Sequence, residues 1–251
     1  MDVKNAFLNG DLHEEVYMQP PPGYPHLGNQ VCHLRCALYG LKQAPRAWFE
    51  KFSSVVAQQG FTSSPHDTAL FVRRSSASIT LILLYIDDMI ITGDDSAGIR
   101  SFQHFLSQHF EMKDLGILSY FLRLEVTSSS DGYYLSQAKY ASNLLSKVGI
   151  TDNKTVFTPL EYNVKLIPLD GELISDATRY RQLVGSLIYL SVTHSDISHA
   201  VGMVSKFMDA PRSVHYVVVL RILRYVKGTL YHSLHYSSRS SLELYAYSDA
   251  D

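Results

Sequence analysis

The sequence predicts an α+β fold followed by a helical segment, and three observations carry that prediction. Strand-like and helix-like runs alternate up to about residue 156, and only helical runs follow. An irregular stretch containing Pro159, Pro168 and Gly171 lies between them, placing a boundary near residues 155–175. With 251 residues and 46% hydrophobic content, the chain can bury one large core or two smaller ones.

The elements follow in order. A proline-rich loop is expected at Gln19-Pro20-Pro21-Pro22-Gly23, where the backbone cannot continue a central strand. From Ala44 to Gln59 apolar residues recur at helical spacing (Ala47, Trp48, Phe52, Val55, Val56), and Gly60 supplies the stop. Leu70-Phe71-Val72 and the run from Ile79 to Ile86 are β-branched or aromatic and predict two strands joined by a polar turn. Ser96 to Phe110 predicts a helix capped by Asp94, Asp95 or Ser96. Tyr120 to Thr127 and Tyr133 to Leu135 predict a hairpin turning at Asp131-Gly132. A helix from Ser136 to Val148 ends at Gly149. Three more helical patterns run from Asp176 to Thr193, Asp196 to Met208 and Val214 to Lys227.

Composition excludes several classes. Cys32 and Cys36 are the only cysteines, with no second pair at zinc spacing, so reduced thiols are expected rather than a metal site with His33. Met1-Asp2-Val3-Lys4 is too polar to open a signal peptide, and no apolar run approaches the ~20 residues of a membrane span. An intracellular protein with no membrane partner is expected. The net charge of −2 gives no hint of a polyanionic ligand. Local surpluses do: Val31 to Phe49 carries Arg35, Lys42 and Arg46 without an acid, and Pro211 to Leu242 carries Arg212, Arg221, Arg224, Lys227 and Arg239 without one. A solvated helix face accounts equally well for Arg221 and Arg224.

Two strand-forming runs, Ile79 to Ile86 and Met89 to Thr92, flank Asp87-Asp88. Adjacent carboxylates at a turn anchored by rigid strands suit a divalent cation, which must overcome their mutual repulsion. A solvated Asp-Asp turn accounts for the same pattern.

Longer segments add a resemblance. Tyr85-Ile86-Asp87-Asp88 resembles the Tyr-x-Asp-Asp turn of reverse transcriptases. Asp2-Val3-Lys4-Asn5-Ala6-Phe7-Leu8-Asn9-Gly10 and the run from Ala37 to Trp48 resemble palm motifs of the copia-type retrotransposon enzymes. Phe110 to Gly116, Leu135-Ser136-Gln137, Arg179 to Gly185 and Arg221 to Thr229 continue the likeness in family order along the chain.

The resemblance implies a right-hand polymerase palm, an antiparallel sheet with packed helices, followed by a helical thumb. The implied parts are a partial palm at 1–126, a connecting hairpin, helix and linker at 127–175, a thumb at 176–239, and the first strand of a truncated RNase H domain at 240–251. The implied activity is RNA-directed DNA polymerisation by two-metal nucleotidyl transfer, with an RNA or DNA template, a primer and dNTPs as partners. Asp2, Asp87 and Asp88 would hold two Mg²⁺ ions, and oxygen-only ligands suit that metal. Phe7 falls at the family's sugar-gate position; a plain core phenylalanine is its other reading. Tyr39, Gly40 and Lys42 fall beside the incoming nucleotide, with a simple turn glycine as the alternative at Gly40. Arg181, Gly185 and Tyr189 share one helix face, at i, i+4 and i+8, and resemble the thumb helix that tracks the template–primer; close helix packing at Gly185 is the alternative. Asp249 would be the first ligand of the RNase H remnant. Arg123 stands where the family usually has glycine, in the segment resembling the primer grip, and His194-Ser195 stand where it usually has Arg-Pro.

Another palm polymerase, such as an RNA-dependent RNA polymerase, is disfavoured by Phe7. A catalytically inactive remnant is the alternative within the family. Because the fingers precede the first palm motif in relatives, Asp2 is expected on a frayed terminus, with the Met1 amine competing for its charge and little polymerase activity in the isolated chain.

Overall fold

The computed structural model describes residues 1–25, 27–150, 152–241, 243, 245, 246 and 248. The chain divides into two compact units, Met1–Leu118 and Ser119–Asp251. That division falls earlier than the changes of character at 126 and 155–175 that the sequence suggests.

In the first unit, β1 (Asp2–Val3) leads through a 3₁₀ turn at Ala6–Asn9 to β2 (Asp11–Met18) and β3 (Cys32–Cys36). Helix α1 (Ala44–Ala57), β4 (Thr62–Ser63), β5 (Leu70–Arg74), β6 (Ile79–Tyr85) and β7 (Asp88–Gly93) follow. Helix α2 (Ser96–His109) and β8 (Met112–Lys113) complete the unit. Six strands form one sheet in the order β4-β5-β6-β7-β1-β8, with antiparallel pairing throughout, while β2 and β3 pair separately.

Strand alternation decides which face is buried. Along β6, Thr80, Ile82 and Leu84 are buried while Ile79, Leu81 and Leu83 are only partly so, the period-2 pattern of a sheet with one well-covered face. Trp48, Phe52, Val55 and Val56 of α1 and Phe102 and Leu106 of α2 share a core with Ile82 and Leu84. Asp95 caps α2 by accepting a hydrogen bond from the Gly98 N–H at 2.8 Å.

The second unit carries β9 (Tyr120–Phe121), β10 (Leu124–Ser129), β11 (Gly132–Ser136) and α3 (Ala138–Val148). Helices α4 (Ala177–Leu190), α5 (Ser198–Ser205) and α6 (Ser213–Gly228) and the strand β12 (Leu234–Ser237) follow. The strands form one antiparallel sheet, β12-β11-β10-β9. The helices bury a core that includes Tyr180, Leu187, Leu190, Ile197, Ile222 and Leu223.

Mixed α and β elements with antiparallel sheets match the predicted class. Three local expectations are corrected. The strand expected from Tyr120 to Thr127 is broken by a two-residue turn at Leu122-Arg123, which joins the paired strands β9 and β10. The helix expected over Asp196–Met208 is shorter, with a 3₁₀ turn at Ser195–Ile197 before α5. Strand β12, unforeseen, gains its order from long-range pairing with β11.

Candidate nucleotidyl-transfer site

The Asp87-Asp88 pair sits in the hairpin between β6 and β7, where Tyr85 faces Asp88 across a two-residue loop of Ile86 and Asp87. Ile86 has φ 55°, and Asp87 is not in the positive-φ region. One positive φ at the first loop position is the sign pattern of a II′ hairpin turn, which ordinarily places glycine there. A β-branched residue in that region is strained and persists only where the surroundings hold it.

Trp48 does the holding. Its indole Nε1–H donates to the Ile86 carbonyl oxygen at 2.7 Å, while the ring is buried against Phe52 and Phe110. The sequence marks Trp48 as a core position of α1 and gives no sign of this contact.

Asp2 is not frayed. Strand β1 lies between β7 and β8, with Asp2 opposite Asp88 on one side and Lys113 on the other. Val3 donates its N–H to the Asp87 carbonyl at 2.8 Å, and Met89 donates to the Met1 carbonyl at 2.9 Å. Two ladder partners and the burial of Val3 fix the strand, short as it is. The Met1 amine donates to the Met89 carbonyl.

The three carboxylates are therefore neighbours, and none of them has an ion pair among the described residues. Burial, then the charge of Asp87, then that of Asp2, push the Asp88 carboxyl above the usual carboxylate range, against a smaller lowering by the Met1 amine. They do not form a closed cage: no group of three His, Cys, Asp or Glu among the described residues has metal-holding geometry.

A raised carboxyl pKa means that ionisation works against the fold, so stability is lost as pH rises from the ordinary carboxylate value through the raised one. Asp88→Asn is thus expected to raise the urea midpoint near neutral pH, and the gain should fade near pH ~3, where a carboxyl is protonated in either state. An unchanged or lower midpoint at neutral pH would contradict the electrostatic account.

Phe7 and Tyr39 come together with ring centroids 4.9 Å apart; Phe7 is half-buried and Tyr39 exposed. Gly40 has φ +92° with open space around a built Cβ, so its backbone conformation alone accounts for glycine. Lys42 is exposed.

In the second unit, Arg181, Gly185 and Tyr189 share α4 as expected. Arg181 donates to the Met208 and Asp209 carbonyls, and Tyr189 to the Leu122 carbonyl. A Cβ on Gly185 meets nothing within 4 Å, so packing inside the chain does not require glycine there. Arg221 is engaged by Glu161 and Thr158, and Lys227 by the Ile150 and Asp152 carbonyls. The Arg224 Nε is buried without a hydrogen-bond partner among the described residues. His194 is buried, and desolvation, offset in part by Asp196, holds its imidazole below the usual range. Asp249 lies outside the described residues.

A sheet that brings two sequence-distant acidic segments together is the framework of a palm. The chain matches the family model for reverse transcriptase (RNA-dependent DNA polymerase) over residues 1–162, and it belongs to that family. Among its relatives are Pol polyproteins of plant copia-type transposons. It is 44% and 42% identical to the retrovirus-related Pol polyproteins from transposons RE1 and RE2 of Arabidopsis thaliana, along its whole length. It is 34% identical to a Ty5-1 transposon protein of Saccharomyces cerevisiae, again along its whole length and over 82% of that protein. The chain spans only 17% of the RE1 and RE2 polyproteins. No solved structure matches it significantly. No helix among the described residues is long and apolar enough to cross a membrane.

Proposed function

We propose that the chain is the palm-and-thumb part of an RNA-directed DNA polymerase of a copia-type retrotransposon, with Asp2, Asp87 and Asp88 as its metal-holding carboxylates. The pairing of Asp2 with Asp88 next to Asp87 carries this reading, because it gathers three unpaired acids from two motifs 85 positions apart. The donor set consists of oxygens alone, as Mg²⁺ prefers, and since the three acids do not converge in the structure, their side chains would have to turn toward the ion to hold it. Bound there, the metal would activate a primer hydroxyl and neutralise charge on a triphosphate.

The chain's own contributions are orientation and selection. Trp48 and the β6–β7 ladder hold the acidic turn. Phe7, placed on the turn that follows β1 and tilted against the Tyr39 ring, offers a ring to the nucleotide sugar that would exclude a 2′-hydroxyl. Tyr39, Gly40 and Lys42 border the same place, and the exposed ammonium of Lys42 suits a triphosphate. Template, primer and dNTPs are the partners, with the thumb contacts at Arg181, Gly185, Tyr189, Arg221, Arg224 and Lys227; the bonds that tie down Arg181, Arg221 and Lys227 would have to be exchanged for phosphate.

The test is primer extension on poly(rA)/oligo(dT) with dTTP and Mg²⁺. It uses the chain joined to the flanking polyprotein segments of its RE1 relative, beside the same fusion carrying Asp87→Asn. Extension that depends on Asp87 is expected. Extension that survives Asp87→Asn, or none in either protein, would overturn the proposal.

A further inference from the structure

We propose that His194 is a proton-operated latch of the second unit: uncharged, it fits a buried polar junction where α3, α4, α5 and α6 meet, and on taking up a proton it forces that junction open. The inference is independent of the polymerase reading.

The junction is built from side chains that the proposed site does not use. Helix α4 ends at Leu190, and the chain then passes through His194 into the 3₁₀ turn at Ser195–Ile197 and on to α5. The His194 N–H donates to the Leu190 carbonyl at 3.0 Å, and the His194 carbonyl accepts from the Ile197 N–H at 3.2 Å, so its backbone is held on both sides. Beside it, the Thr193 hydroxyl donates to Gln137 Oε1 at 2.9 Å, tying the end of α4 to the start of α3. From α6, the Tyr225 hydroxyl donates to the Asp196 carboxylate.

The surroundings accommodate a neutral imidazole and resist a charged one. His194 is 2% exposed and Gln137 is 0% exposed. The His194 Nδ1 lies 3.8 Å from the Asp196 carboxylate. The His194 Nε2 is buried with no hydrogen-bond partner among the described residues, and so is the Gln137 side-chain nitrogen. With its one proton on Nδ1, facing Asp196, the neutral ring leaves only a lone pair at Nε2. An imidazolium carries N–H on both nitrogens, and the second would be a buried charged donor with nothing to accept it. Asp196 compensates only in part, because it is half-exposed and shared with Tyr225.

The charges that act on the ring fix the sign. Desolvation is the largest influence and lowers it, Asp196 raises it, and His232, in the loop after α6, lowers it. Tyr225, pushed up to about 12 by its bond to Asp196, stays protonated throughout. The folded unit therefore binds this proton less readily than the unfolded chain, whose imidazole has the ordinary value of 6.5. A depressed imidazole leaves stability intact above that value, and stability is lost as pH falls through it toward the folded one. His232 gains charge over the same range and steepens the loss.

The experiment is an NMR titration of the histidine rings of the full chain from about pH 8 to about pH 5. Urea unfolding at both ends of that range, followed through the amide signals of α4 and α5, reads the second unit by itself. His194→Gln keeps an N–H for Asp196 but takes up no proton. His199→Gln, at an exposed position on α5, is the control, and Asp196→Asn removes the charge that favours the imidazolium.

The His194 ring should titrate below the His199 ring. The urea midpoint should fall toward acid pH roughly twice as far in the unaltered chain and the control as in His194→Gln. Asp196→Asn should move the His194 titration lower still and deepen the fall. A His194 ring that titrates with His199 or above it would overturn the latch, and so would an equal fall in His194→Gln. Should His194→Gln fail to fold, Asp196→Asn decides: a fall no deeper than in the unaltered chain would overturn the proposal.

Discussion

Trp48→Phe is expected to destabilise the first unit by about 1–3 kcal/mol, and Trp48→Ala by about 3–5 kcal/mol. The smaller change keeps an aromatic ring against Phe52 and Phe110 but deletes the N–H that the Ile86 carbonyl accepts. Part of its cost is the freed carbonyl and part is the smaller ring. The larger change also opens a cavity in the middle of the core. Because the bond restrains a strained turn, Ile86→Gly supplies a sharper comparison. Glycine accepts φ 55° without steric cost. The penalty for Trp48→Phe should therefore shrink in the Ile86→Gly background, as read by urea unfolding of the four proteins of the cycle. A penalty equal in both backgrounds would mean that Trp48 acts through packing alone.

Asp87→Asn is expected to lower primer extension by about a thousandfold or more, the usual cost of removing a group that stabilises developing charge in a transition state. The loss should fall on kcat with no loss of stability, since no hydrogen bond or ion pair of the described fold depends on the Asp87 side chain and its charge repels that of Asp88. Asp88 behaves differently. Its carboxyl is already pushed upward by burial, Asp87 and Asp2, so its replacement is expected to lower activity while making the fold more stable at neutral pH. Opposite movements of activity and stability at Asp88, with a smaller gain in stability at Asp87, where the burial cost of Asp88 remains, would separate an electrostatic site from an ordinary polar turn. A parallel loss of stability in both variants would contradict this division.

Much of this arrangement is legible in the chain itself. The β-branched runs around Asp87-Asp88 predict strand–turn–strand because their residues suit a half-buried pleated surface, and that is what β6 and β7 form. The spacing of Trp48, Phe52 and Val55 predicts the buried face of α1. What tertiary structure decides was not legible. The indole of Trp48 and the carbonyl of Ile86 lie 38 residues apart, and no local rule joins them. Leu122-Arg123 has none of the usual turn residues, so a continuous strand was the natural expectation; the turn is held by pairing and by Tyr189. The basic residues of α6 stand out in sequence, yet Arg221 and Lys227 are taken up within the fold, while the less conspicuous Lys139 and Lys147 have no ion pair among the described residues. Charge content can be read from a sequence; its availability depends on neighbours that only the fold supplies. Asp2 shows the reverse error. Its place near the start of the chain suggested fraying, but hydrogen bonding on both edges of β1 fixes it.

Trp48 is the only tryptophan, so the chain has a single indole N–H resonance, and that proton points at the carbonyl next to Asp87. Titrating ¹⁵N-labelled chain with Mn²⁺ and following that resonance tests most directly whether the acidic turn is a metal site. The account predicts that substoichiometric Mn²⁺ broadens the indole signal in the unaltered chain and leaves it sharp in Asp87→Asn. A signal that stays sharp in the unaltered chain, or broadens equally in both, would contradict it.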